Sequence, residues 1–79
     1  MKMEMTKVYT TSDLYLSAFL KAKGLKLQDK RRVGDRYVFV FEDADNRQGL
    51  IREFFNDGVV SITAFKNAIQ DLKTMVFNV

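Results

Sequence analysis

Five consecutive residues, Tyr37-Val38-Phe39-Val40-Phe41, are all aromatic or β-branched, and no other stretch of the 79-residue chain constrains the fold as strongly. A run that is apolar at every position predicts a strand covered on both faces. Gly34-Asp35 just before it is a turn signal, and Leu25 and Leu27 open the preceding segment, so residues 25–42 are expected to form a β-hairpin. Two registers are open. A two-residue Gly34-Asp35 turn sets Val33 against Arg36 and places Tyr37, Phe39 and Phe41 on one face with Lys26, Gln28, Lys30 and Arg32. A three-residue loop shifts the parity and gathers Leu25, Leu27 and Val33 with the aromatics instead. The second makes the cleaner core; the first makes a basic, aromatic face.

Around the hairpin the periodicity is helical. Val8-Tyr9-Thr10 reads as a short strand, and Thr10 with Asp13 has the spacing of a capping box, Tyr9 and Leu14 supplying its hydrophobic staple. The first helix then runs to about Lys23, with Gly24 as its left-handed terminator. Asp13, Ser17 and Lys21 form a polar stripe so narrow that the helix is expected to be buried on most sides. Asp45 and Gln48 imitate a second capping box, for a helix over about 45–57 with Leu50, Ile51, Phe54 and Phe55 as its apolar face and Gly58 as its end. Ser61 is an N-cap for a third helix, about 62–77, whose apolar face is Ile62, Phe65, Ala68, Ile69, Leu72 and Val76. Val60 and Phe65 have the spacing of its staple. Both outer helices carry [ST]-A-F-x-x-A, at 17–22 and 63–68, and the paired alanines favour close helix packing. The order is β-α-β-β-α-α: an α+β class, with an antiparallel hairpin sheet against three helices. Residues 1–7 are expected to be a flexible N-terminus and 8–79 one domain, with no linker.

Composition then removes chemistry. The chain has no His, Cys, Trp or Pro, which excludes disulfides, thiolate catalysis, Cys/His zinc sites and every dyad that needs an imidazole. No run approaches the roughly 20 apolar residues of a membrane span, and the opening MKMEMTK lacks an apolar targeting core. The expectation is a cytoplasmic protein with no membrane partner. Net charge is only +3, yet residues 1–36 carry nine basic and four acidic groups, net +5, while residues 37–79 carry four and six, net −2. Such a layout can steer an anionic partner or let two copies associate.

The candidate sites are few. Asp43-Ala44-Asp45 opens like a calcium loop, but Gln48 stands where glycine is required and Phe54 where glutamate is, so capping is the better account of both aspartates. Glu42, Asp43 and Asp45 as a magnesium or acid–base set yield to solvated acidic surface, because no phosphate-cradling loop accompanies them. Ser17 and Lys21, one helical turn apart, have nucleophile–base spacing, but as members of a polar stripe they are expected to be solvated. What remains is a basic cluster: Lys21, Lys23, Lys26, Lys30, Arg31, Arg32 and Arg36 put seven cations into sixteen residues, against Asp29 and Asp35 alone. Lys23, Lys26, Lys30, Arg31, Arg32 and Arg36 are the candidate nucleic-acid or anion contacts, with Tyr37, Phe39 and Phe41 as candidate stacking or interface aromatics. The competing reading is favoured: Lys-rich edges protect exposed hairpins from pairing with other chains. Phe54, Phe55, Phe65 and Phe77, added to the strand aromatics, exceed what so small a core needs, which points to a subunit interface.

Three segments, YTTSDLYLSAFLKAKG at 9–24, FVFED at 39–43 and AFKNAIQDLK at 64–73, carry a resemblance across nearly the whole chain. In these the sequence resembles a family of small prokaryotic domains of unknown function. The resemblance implies an α+β fold and a bacterial or phage source, and it implies no catalytic residue, binding residue or cofactor. The expected function is that of a non-enzymatic interaction or regulatory module that forms a homo-oligomer, a dimer in the simplest case. The alternative is a nucleic-acid-binding domain that uses the basic hairpin 21–36.

Overall fold

A computed structural model describes residues 8–77, and in it the chain runs β1 (Val8–Thr11), α1 (Leu14–Ala22), β2 (Leu27–Val33), β3 (Arg36–Glu42), α2 (Arg47–Phe54) and α3 (Ile62–Phe77). The three strands form one open antiparallel sheet in the order β1-β3-β2, and the fold is α+β as the periodicity predicts. The flexibility expected of residues 1–7 lies outside the described residues.

The apolar run is β3, the central strand. Its turn has two residues: Val33 pairs with Arg36, Arg32 with Tyr37 and Lys30 with Phe39. Gly34, at φ +67°, takes the first central position, as a type II′ turn requires. Neither expected register holds along the whole hairpin, because Gln28 is an extra residue: Leu27 pairs with Phe41 while Asp29 pairs with the next residue, Val40. This β-bulge changes the parity. Beyond it Lys30 and Arg32 share a face with Tyr37 and Phe39; before it Leu27 joins Phe41 on that same face. The bulge therefore satisfies both demands, a core leucine at one end and a cation–aromatic face at the other. Val33 stays on the opposite face, exposed beside the turn.

Phe39 and Phe41 are buried in one cluster with Leu16, Ala18, Leu20, Leu25, Leu50, Ala68 and Leu72, so their face of the sheet is the one that meets the helices. Val40 points to the other face and is also buried, though it lies outside that cluster.

Helix α1 begins three residues later than the capping-box spacing suggests. Asp13 is itself the N-cap, its carboxylate accepting from the Tyr15 and Leu16 amides at 3.0 and 3.1 Å. Thr10 is in β1, and it is the Thr11 hydroxyl that accepts from the Asp13 amide. An aspartate three residues after a threonine fits either role; the longer strand β1 decides between them. At the other end the Leu25 amide donates to the Leu20 carbonyl and the Gly24 amide to that of Lys21, around Gly24 at φ +102°. That is a Schellman ending, with Leu20 and Leu25 both in the core.

Ser17 corrects the expected solvated stripe. It is fully buried, and its hydroxyl donates to the Asp13 carbonyl at 2.8 Å. That local bond satisfies the hydroxyl and lets a serine be buried in a helix that packs on α3. Lys21, farther along the stripe, pairs with Asp71 of α3 at 3.6 Å.

Helix α2 is shorter than its pattern. Asn46 precedes it without a side-chain cap, so the expected Asp45–Gln48 capping box is absent. The Asp43 carboxylate holds the Arg47 guanidinium, accepting from Nε at 2.9 Å and Nη2 at 3.3 Å. Arg47 also lies over the Tyr9 ring, 4.7 Å from its centroid, which pins the β3–α2 loop to β1. The helix stops at Phe54 rather than at Gly58, and Asp57 takes the left-handed conformation at φ +60°. Gly58 serves a different purpose. A Cβ there would stand 2.7 Å from the Glu53 carbonyl oxygen and 2.9 Å from Cζ of Phe19. Helix α3 has the expected bounds, and its Ser61 cap accepts from the Ala64 amide at 3.2 Å.

Candidate functional site

The six candidate cations do not form one patch. On the helix-facing side of the hairpin, Lys30 and Arg32 lie over the Tyr37 ring at 5.9 and 5.6 Å from its centroid. The Lys30 ammonium also donates to the Met75 carbonyl in the last turn of α3, where a cation neutralises the negative end of the helix dipole. Arg32 Nε donates to the Gly34 carbonyl at 3.1 Å, which braces the turn. Arg31 and Arg36 pair with Val38 and Val33 on the opposite face, both exposed. Lys23 and Lys26 lie toward the other end of the hairpin, Lys26 being about 20 Å from Arg32 at the rise of an extended strand. Lys23 is committed to the fold. Its ammonium donates to the Val59 carbonyl at 3.0 Å, pairs with Glu53 at 3.5 Å and lies over Phe19. β2 is an edge strand, and its cations discourage pairing with a further strand.

The three aromatics divide as well. Phe39 and Phe41 are core residues of this chain, which removes them as stacking or interface groups. Tyr37 is half-buried beneath its two cations. Glu42 and Asp43 line a cleft of about 290 Å³ with Lys23 and Lys26, so opposite charges share it. Among the described residues, no three His, Cys, Asp or Glu side chains come together in a way that could hold a metal ion. The hydrogen bond with Asp43 raises the pKa of the Arg47 guanidinium above the ordinary arginine value.

What the pattern did not foresee is the corner between α2 and α3. Phe55, Val59 and Ile62, within eight residues of one another, are 68%, 78% and 82% exposed. Phe55 and Ile62 correct the expected apolar faces of their helices. The sequence held a signal in the doublet Phe54-Phe55: adjacent residues on a helix diverge by about 100°, so one of the two turns from the core. Phe54 is the inward member, 5.5 Å from Phe19 between ring centroids, and Phe55 meets it edge-on at 5.0 Å. The corner is held firmly, with Lys23 tying Glu53 and the Val59 carbonyl to the end of α1 and Gly58 allowing contact with Phe19. Its exposed rim carries both signs of charge: Arg52 and Lys66 against Asp57.

No helix among the described residues is long and apolar enough to cross a membrane. No curated protein and no solved structure matches the chain significantly. A family model does match, over residues 6–78, and the chain belongs to that family, described as a domain of unknown function (DUF5659).

Proposed function

We propose that this member of the family is a non-enzymatic interaction module, at home in a prokaryotic cytoplasm, that pairs with a second copy of itself through the α2–α3 corner. The observation that carries this is the exposure of Phe55, Val59 and Ile62 on a corner braced from behind. Large apolar side chains gathered on one surface mark an interaction site, and a braced surface loses little freedom on binding. A two-fold interface must be self-complementary, which a rim of mixed sign permits: Asp57 of one copy can face Arg52 or Lys66 of the other.

The magnitude follows from the area. Burying each of these side chains contributes about 1.5–2 kcal/mol, and a dimer buries six of them, roughly 10 kcal/mol in all. Association costs at least about 4 kcal/mol. At that smallest cost the difference is about 6 kcal/mol, a dissociation constant of roughly 40 micromolar, the tightest that this surface gives on these terms. Light scattering from micromolar to millimolar protein should therefore show the mass rising from 9.2 kDa toward twice that value, and Ile62→Asp should hold it at the monomer. A 9.2 kDa species at every concentration would end this reading. If that monomer also bound DNA or RNA with steep salt dependence, the function would pass to Arg31, Arg36 and the basic hairpin.

A further inference from the structure

At the far end of α3 from the corner, a groove of about 480 Å³ opens between the start of α1, the first half of β3 and the last turns of α3. Its floor is apolar, with Leu14, Phe39, Leu72 and Val76 in or against the hydrophobic core. Among the described residues its charged lining is two exposed cations, Lys73 from α3 and Arg36, which starts on the opposite face of the sheet and meets the groove at its edge beside the hairpin turn. No carboxylate among the described residues lines it. The nearest acids along the chain are Asp13, whose carboxylate caps α1 between the lining residues Ser12 and Leu14, Asp35, exposed in the turn, and Asp71, which pairs with Lys21. Tyr37, on the groove wall, carries the further positive charges of Lys30 and Arg32 over its ring. Phe77 stands at the lip, 75% exposed.

A groove of this size, with an apolar bed and a few convergent polar groups, has the properties of a small-molecule site. We propose that it binds an amphiphilic organic carboxylate, an aliphatic chain on the floor with its head group at Arg36 and Lys73. The charge selects the class. A cationic amphiphile meets like charge from both wall and rim, and a neutral one leaves the Arg36 guanidinium and the Lys73 ammonium without an ionic partner. Phe77 gains burial by closing over the chain, which ties occupancy to the end of α3. This inference does not rest on self-association, because the groove and the corner lie at opposite ends of a 16-residue helix.

The test is an amide chemical-shift titration of the whole chain with decanoate, 1-decanol and decyltrimethylammonium, run at a concentration where the protein is monomeric. Decanoate should move the amides of Arg36, Tyr37, Lys73, Val76 and Phe77. 1-Decanol should bind the same residues about tenfold more weakly, and the cation should not bind. Charge-assisted contacts are worth about that factor. Replacing both cations, Arg36→Gln with Lys73→Gln, should lower decanoate affinity about tenfold and leave 1-decanol affinity unchanged; both side chains are exposed, so the fold is expected to survive. Equal binding of decanoate and 1-decanol, shifts centred on Phe55 to Ile62, or no shift at millimolar decanoate would each overturn the proposal.

Discussion

Replacing glycine by alanine at three positions tests the packing of the corner. At Gly58 the new methyl would lie 2.7 Å from the Glu53 carbonyl oxygen and 2.9 Å from Cζ of Phe19. The first neighbour is backbone, and the second is a buried ring packed at a tilt against Phe54. Neither can move without disturbing the α1–α2 contact. Overpacking of this kind costs about 1–3 kcal/mol, and the lower entropy of the unfolded alanine chain returns about 0.4–1 kcal/mol. Gly58→Ala should therefore destabilise by roughly 1–2 kcal/mol. A domain of this size has on the order of 4–12 kcal/mol in total, and each kcal/mol lowers Tm by roughly 4–8 °C. At Gly49, inside α2, nothing lies within 4 Å of the added carbon, so Gly49→Ala should stabilise by about 0.5–1 kcal/mol through helix propensity alone. Gly34→Ala also meets nothing, but φ +67° is strained for alanine and costs about 1–2 kcal/mol. Urea unfolding followed by circular dichroism at one low protein concentration separates the three, without a contribution from self-association. A neutral or stabilising Gly58→Ala beside a stabilising Gly49→Ala would refute the close approach of the corner to Phe19.

Three further substitutions test other contacts. Asp13→Ala removes the carboxylate that caps α1 and should cost about 1 kcal/mol in urea unfolding, whereas Thr10→Ala should cost little; equal losses would restore threonine as the cap. Arg47→Lys keeps the charge but loses the two-pronged contact with Asp43 and the stacking on Tyr9, so it should cost about 1 kcal/mol at low salt. Lys30→Ala should fray the last turn of α3, seen as faster hydrogen exchange at residues 75–77, at a cost of about 0.5–1 kcal/mol.

Local chemistry made several features legible. An all-apolar run forms a central strand, Gly24 terminates a helix and Ser61 starts one, because each depends on neighbours a few residues away. The two-residue turn was one of two open choices, and the bulge at Gln28 was beyond the pattern: it depends on Leu27 reaching Phe41 across the sheet, and a polar residue in a polar stretch gives no sign of it. Ser17 looks solvated in the sequence because nothing local shows that the fold buries it and that its hydroxyl bonds back to the Asp13 carbonyl. The basic cluster was visible as a count of cations, but their individual roles come from distant partners, Met75 for Lys30 and Val59 with Glu53 for Lys23. The corner was hidden for the opposite reason. Phe55 and Ile62 fit the helical period, yet Phe55 follows the last residue of α2 and Ile62 is the first of α3, at helix ends where the period does not secure a core contact.

The measurement that bears most directly on the proposed function is the amide spectrum of the chain recorded over a concentration series. If two copies meet at the α2–α3 corner, the resonances that move should be those of residues 52–66, with Phe55, Val59 and Ile62 moving most. Amides at 30–37 should stay in place. Concentration-dependent shifts centred on the hairpin, or none up to millimolar protein, would contradict it.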